Sequence, residues 1–233
     1  MQSIRRVILS ACLAAGLSAP AQSQNPAPAA ERVYVITYID VTLAGAPRTI
    51  GLLQQYHDAL AEGGNNDIGL YQELGQPGHF AVMEEWPNRA AYDAQPRQAA
   101  MDKLRMDLND IQVGPPDSNL FQGETTGAVK RPAGGRARLW TISHFEIQPA
   151  RLAEFDSLAN PFAQSSRTGA GFMRFDILRE TAPRQNQFAI VEGWSSPQAA
   201  EAHRVSADAR KFRAALAPML AGPFDDRVYG KFN

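Results

Sequence analysis

Phe80-Ala-Val-Met-Glu84-Glu-Trp86 reads against Phe188-Ala-Ile-Val-Glu192-Gly-Trp194 at a constant offset of 108 residues. The offset persists along the chain, with Asn88 on Ser196, Ala91 on Ala199, Ala94 on Ala202, Leu104 on Phe212, Leu108 on Leu216, Pro115 on Pro223 and Phe121 on Tyr229. Upstream, Val33-Tyr-Val-Ile-Thr-Tyr-Ile-Asp-Val41 lies on Leu139-Trp-Thr-Ile-Ser-His-Phe-Glu-Ile147 at an offset of 106, with loops absorbing the difference. Self-similarity of this length means one structural unit used twice. The copies span 33–124 and 139–233, joined by a Gly-, Pro- and Arg-rich linker at 125–138.

Each copy reads as strand, helix, strand, strand, helix, strand. The opening strands are β-branched and aromatic. Leu152, Phe155, Leu158 and Ala159 fall at helical spacing in copy two, as do Ile50, Leu53, Tyr56, His57 and Leu60 in copy one. Segments 68–74 and 172–178 read as strands, and the quoted pair as the strands that follow them. Ser196 before Pro197 makes a helix start, with Asn88 the matching cap; one helix is expected from there past Met219, stopping before Gly222-Pro223. The order β-α-β-β-α-β is the ferredoxin-like motif, and the fold class is α+β. A four-stranded sheet with helices on one face leaves the other bare. Here Val35, Thr37, Ile39 and Val41 alternate with Tyr34, Ile36 and Tyr38, so both faces ask for cover, and the copies are expected to pair within the chain.

Of the 233 residues 44% are hydrophobic, enough for two cored domains. The 24 acidic residues slightly outnumber the 23 basic ones and both signs are interspersed, which gives no footprint for nucleic acid or a membrane surface. Residues 1–21 differ in character: Arg5 and Arg6, then an apolar run from Val7 to Ala19, then the small-residue site Ala19-Pro20-Ala21. They read as a signal peptide, with 22–32 a disordered leader, and imply a periplasmic or secreted protein with no membrane anchor after cleavage. Leu9-Ser10-Ala11-Cys12 is a rival lipoprotein box, and Arg5-Arg6 admits twin-arginine export. Cys12 is the only cysteine, so the mature chain would carry no disulfide and no thiol nucleophile. No two histidines have metal-ligand spacing, and phosphate-cradling and dinucleotide fingerprints are missing. No metal is expected.

The run Phe188-Ala-Ile-Val-Glu-Gly-Trp194-Ser-Ser-Pro-Gln-Ala-Ala-Glu-Ala-His203, followed by Phe212, Leu216 and Val228-Tyr229, resembles the antibiotic biosynthesis monooxygenase (ABM) family, and copy one carries a weaker version. The resemblance implies two ferredoxin-like domains packed as an intrachain dimeric α+β barrel, with a ligand cavity in each. It also implies an oxygenase that needs no cofactor and oxidises an aromatic phenol, quinol or polyketide-like molecule with O2. The alternative is a non-enzymatic binding or scavenging protein for a small apolar ligand in the same cavity; further homo-oligomerisation is compatible with either.

Within that resemblance His203 is the residue expected to move a proton, because imidazole titrates near neutral pH. Trp194 is expected to shape the site and Glu192 to support it. His144, Trp86, Phe175 and Tyr38 are the expected substrate contacts. Copy one has Gln95 at the place of His203, which points to chemistry in copy two alone. Haem-degrading relatives would ask for an asparagine on the first strand, where the copies have Thr37-Tyr38 and Ser143-His144.

Overall fold

The protein is described by a computed structural model covering residues 32–65, 67–127 and 139–233. The expected signal peptide, the leader up to residue 31 and residues 128–138 of the linker lie outside them.

The first repeat runs β1 (Val33–Asp40), α1 (Ala46–Glu62), β2 (Ile68–Glu73), β3 (His79–Trp86), α2 (Arg89–Tyr92), α3 (Gln95–Leu108) and β4 (Asp117–Thr125). The second runs β5 (Leu139–Glu146), α4 (Leu152–Ser166), β6 (Phe172–Glu180), β7 (Gln187–Trp194), α5 (Pro197–Arg204), α6 (Ala207–Leu216) and β8 (Asp225–Lys231). Each repeat forms an antiparallel sheet, ordered β4-β1-β3-β2 and β6-β7-β5-β8. The edges then meet, β2 on β8 and β4 on β6, and eight strands close into one barrel. Closure leaves no exposed strand edge, which is the physical gain of fusing the pair.

Strand alternation sorts the side chains into three cores. Val33, Val35 and Ile39 pack under α1 and α3 with Leu53, Leu60, Leu104 and Leu108. In the second repeat Phe145, Phe155, Phe188, Trp194, Phe212 and Leu216 form the matching helix-side core. The opposite faces fill the barrel with Tyr34, Ile36, Tyr71, Phe121, Trp140, Ile142 and Tyr229, as an eight-stranded barrel is just wide enough to be filled by side chains. The middle of the quoted motif shows how the repeats diverged inside it. Glu85 points inward and pairs with Arg174 of β6. Its counterpart Gly193 lies against the Trp140 ring, which a Cβ there would meet at 3.0 Å.

Two boundaries differ from the sequence reading. The expected linker start, Thr125, is the last residue of β4, and Arg167 Nη2 donates to its carbonyl at 2.8 Å; Gly127 N then donates to Asp176 Oδ1 at 2.9 Å, pinning the chain to the second domain. The single helix expected after Ser196 is interrupted. Ser196 and Asn88 do cap their helices, accepting from Ala199 N and Ala91 N. A second cap, Ser206, accepts from Ala209 N and restarts the helix as α6, so α5 ends at Arg204. That break sets His203 on the last turn of α5 and Val205 in the joint.

Candidate active site

Glu192 and Trp194 are alternate residues of β7, so both face the helices rather than the barrel. Trp194 is fully buried, and its indole Nε1 donates to Glu192 Oε2 at 2.8 Å. His203 lies over the indole from α5, with ring centroids 4.6 Å apart and nearly parallel planes. Phe162 of α4 and Phe175 of β6 complete the wall at 5.8 and 5.7 Å from the imidazole. Gly171 lets β6 enter this corner: its φ is +77°, and a Cβ would meet the Ala199 Cβ at 2.5 Å.

The two polar groups are held in an apolar box that opens only slightly, with 18% of the Glu192 side chain and 9% of the His203 side chain exposed. Stripping water from the carboxylate raises the Glu192 pKa to about 7; Asp226 adds to the rise, while the Trp194 N–H and Arg213 oppose it. Burial likewise lowers His203 to about 4, helped by Arg213 and opposed by Asp208. Both shifts favour the uncharged form, so near neutral pH the imidazole is neutral and the Glu192 carboxyl is the group of the two whose pKa lies close to 7. His203 Nε2 stands 3.9 Å from Glu192 Oε2, beyond hydrogen-bond range.

The first repeat builds the equivalent place differently. Glu84 is fully buried and its carboxylate is filled by protein donors. Tyr56 Oη donates to Oε1 at 2.7 Å, Trp86 Nε1 to Oε2 at 2.8 Å, and Arg97 donates to Oε2 at 2.8 Å through Nε and to Oε1 at 3.3 Å through Nη2. The Tyr92 ring covers the guanidinium, 4.1 Å away. At the repeat offsets Tyr56 becomes Phe162 and Arg97 becomes Val205.

The seven residues singled out in the sequence therefore fall in three places. Glu192, Trp194, His203 and Phe175 converge in the second domain. Trp86 belongs to the Glu84 cluster of the first. Tyr38 and His144 point into the barrel on the other side of the sheets, where the Tyr38 hydroxyl and His144 Nε2 are hydrogen-bonded to each other. Burial lowers His144 to about 4. Alternation along β1 and β5 turns Tyr38 and His144 to the opposite face of the sheets from His203. Phe162 and Asp226 were missed. Phe162 reads simply as an apolar helix residue, and only its alignment on Tyr56 marks it. Among the described residues no three His, Cys, Asp or Glu side chains converge as a metal site would require.

A duplicated ferredoxin-like unit, closed on itself as an α+β barrel with an aromatic-walled carboxylate beneath the helices, defines the class of protein. The model of the antibiotic biosynthesis monooxygenase family matches residues 32–102 and again 141–215, and the chain belongs to that family. Among solved structures, a candidate monooxygenase from Fusobacterium nucleatum subsp. nucleatum is 10% identical with a TM-score of 0.73, over 88% of this chain and 94% of that one. A candidate monooxygenase from Lactobacillus acidophilus NCFM is 12% identical with a TM-score of 0.68, over 86% and 94%. An anthrone oxidase-like protein is 13% identical with a TM-score of 0.65, over 87% and 92%. At these identities the likeness concerns the fold alone. No curated protein matches the chain.

Proposed function

We propose that the second domain oxidises a hydroxylated aromatic compound, a phenol or quinol, with molecular oxygen and without a bound cofactor. The observation that carries this reading is Glu192, a carboxylate raised to about 7 inside an aromatic box, where it can take the hydroxyl proton of such a substrate at neutral pH. The resulting anion is electron-rich enough to react with O2 directly. In a phenol-to-quinone conversion one oxygen atom enters the ring; the hydroxyl hydrogen and the displaced ring hydrogen leave with the other as water. The substrate supplies all the electrons. Trp194 holds Oε2 through its N–H, and Phe162, Phe175 and the neutral His203 ring exclude water from the anion.

The test is oxygen uptake by the purified protein over a panel of quinols and polycyclic phenols, with 18O2 followed into the product. Uptake with one labelled oxygen incorporated is expected. Tight binding without oxygen consumption would sink the oxidation and leave a binding or scavenging protein. Export is part of the proposal and rests on the pattern of residues 1–21 alone. The exported chain should begin at Gln22 by intact mass, and a diacylglyceryl-modified Cys12 at its start would overturn this.

A further inference from the structure

The two domains present the same buried carboxylate in two states, one filled and one open. Glu84 receives Tyr56, Trp86 and Arg97, so both of its oxygens are engaged. Glu192 keeps only the indole N–H, on Oε2, and among the described residues its Oε1 accepts no hydrogen bond. The aligned residues explain the difference. Phe162 has the ring of Tyr56 without its hydroxyl. Val205, 44% exposed in the α5–α6 joint, has neither the reach nor the charge of Arg97. A carboxylate can only accept, so the capacity that the protein leaves unfilled at Glu192, whose side chain is 18% exposed, is open to water or to a ligand donor.

We propose that Arg97 and Tyr56 are a built-in occupant of the first domain's site, and that a ligand hydroxyl held between Glu192 and His203 takes their place in the second. The chain then binds one ligand, in the second domain. The geometry allows the bridge: with Oε2 and Nε2 3.9 Å apart, a single ligand oxygen can sit ~2.8 Å from both, as a second donor to Oε2 beside the Trp194 N–H. A hydroxyl suits the site better than a cation. The charges of Asp226 and Arg213 act on Glu192 in opposite senses, and Tyr56 shows that a phenolic hydroxyl meets the equivalent carboxylate at 2.7 Å in the first domain. This inference rests on the functional reading for the place of the site, but not for the oxidation.

The experiment uses nitrophenols, whose phenol and phenolate forms differ in colour, titrated calorimetrically and by absorbance into the full chain. One probe per chain is expected, with the phenolate spectrum appearing on binding. Reproducing the first domain's donors in the second, with Phe162→Tyr and Val205→Arg together, should weaken binding by ~10-fold or more while the melting temperature holds or rises. Should that double variant fail to fold, Glu192→Gln must show the same weakening with the phenolate spectrum lost. Two equivalent probes per chain overturn the inference, as does unchanged affinity in a folded double variant. Binding of no nitrophenol overturns it too, and tighter binding of a benzylammonium probe would replace the hydroxyl by a cation. One bound phenol per chain without oxygen uptake on the wider panel defeats only the oxidation.

Discussion

Glu84→Gln is expected to destabilise the protein by roughly 3 to 5 kcal/mol at pH 7, whereas Glu192→Gln, the equivalent change in the other repeat, should stabilise it above neutral pH. The first removes the carboxylate from a buried ion pair with Arg97, whose guanidinium is 4% exposed and would be left without a counter-charge. The second removes a penalty. With a folded pKa of about 7 against an ordinary 4.5, Glu192 binds its proton more tightly in the native state. Its contribution to stability is therefore favourable at low pH and fades as pH rises from 4.5 through 7. Above that range the native protein holds a poorly solvated charge, at a cost of up to ~3 kcal/mol that glutamine does not incur. The histidines at 144 and 203, both lowered to about 4, give an opposite slope between 4 and 6.5. That slope is common to wild type and variant and drops out of the comparison. Urea denaturation of the three proteins at pH 5 and pH 8 measures both effects. Equal destabilisation by the two substitutions at pH 8 would mean that the repeats hold their carboxylates alike.

The fold was legible in the sequence because duplication doubles every signal. The strand ending at Trp86 is ambiguous alone and unambiguous beside the one ending at Trp194, and the caps Asn88 and Ser196 then place the helices that follow. The interruption at Ser206 was hidden because Ala199 and Ala202 before it and Phe212 and Leu216 after it each keep helical spacing, while one local hydrogen bond, accepted by Ser206 from Ala209 N, sets the restart. The site was only half legible. Trp194, Glu192 and His203 stand out by residue type and family pattern, but the pKa shifts of Glu192 and His203 come first from burial, with Asp226 and Arg213 acting on the carboxylate and Arg213 and Asp208 on the imidazole. Tyr38 and His144 show the converse. Their residue types suggest chemistry, while their hydrogen bond on the barrel side of the sheets gives each its partner in the other.

Glu192→Gln should reduce turnover of the best substrate by ~10²- to 10⁴-fold, the usual contribution of a positioned proton acceptor. Glutamine keeps the size of the side chain and can still accept the Trp194 N–H, so the loss would reflect the proton and not the packing. In the wild type, activity should rise with pH along a limb centred near 7, because only the ionised carboxylate can take a proton. A titrating substrate could produce a similar limb, and the charges around Glu192 separate the two origins. Asp226 of β8, hydrogen-bonded to Ser143 Oγ at 2.8 Å, raises the Glu192 pKa, whereas Arg213 of α6 lowers it. Asp226→Asn should therefore shift the limb to lower pH and Arg213→Gln to higher pH, with the substrate unchanged. His203→Gln should lower turnover by loosening the stack on Trp194 while leaving the limb near 7, since an imidazole held at about 4 does not titrate there. A limb that stays in place in the Asp226 and Arg213 variants but vanishes in His203→Gln would return the proton to the histidine and refute Glu192 as its acceptor.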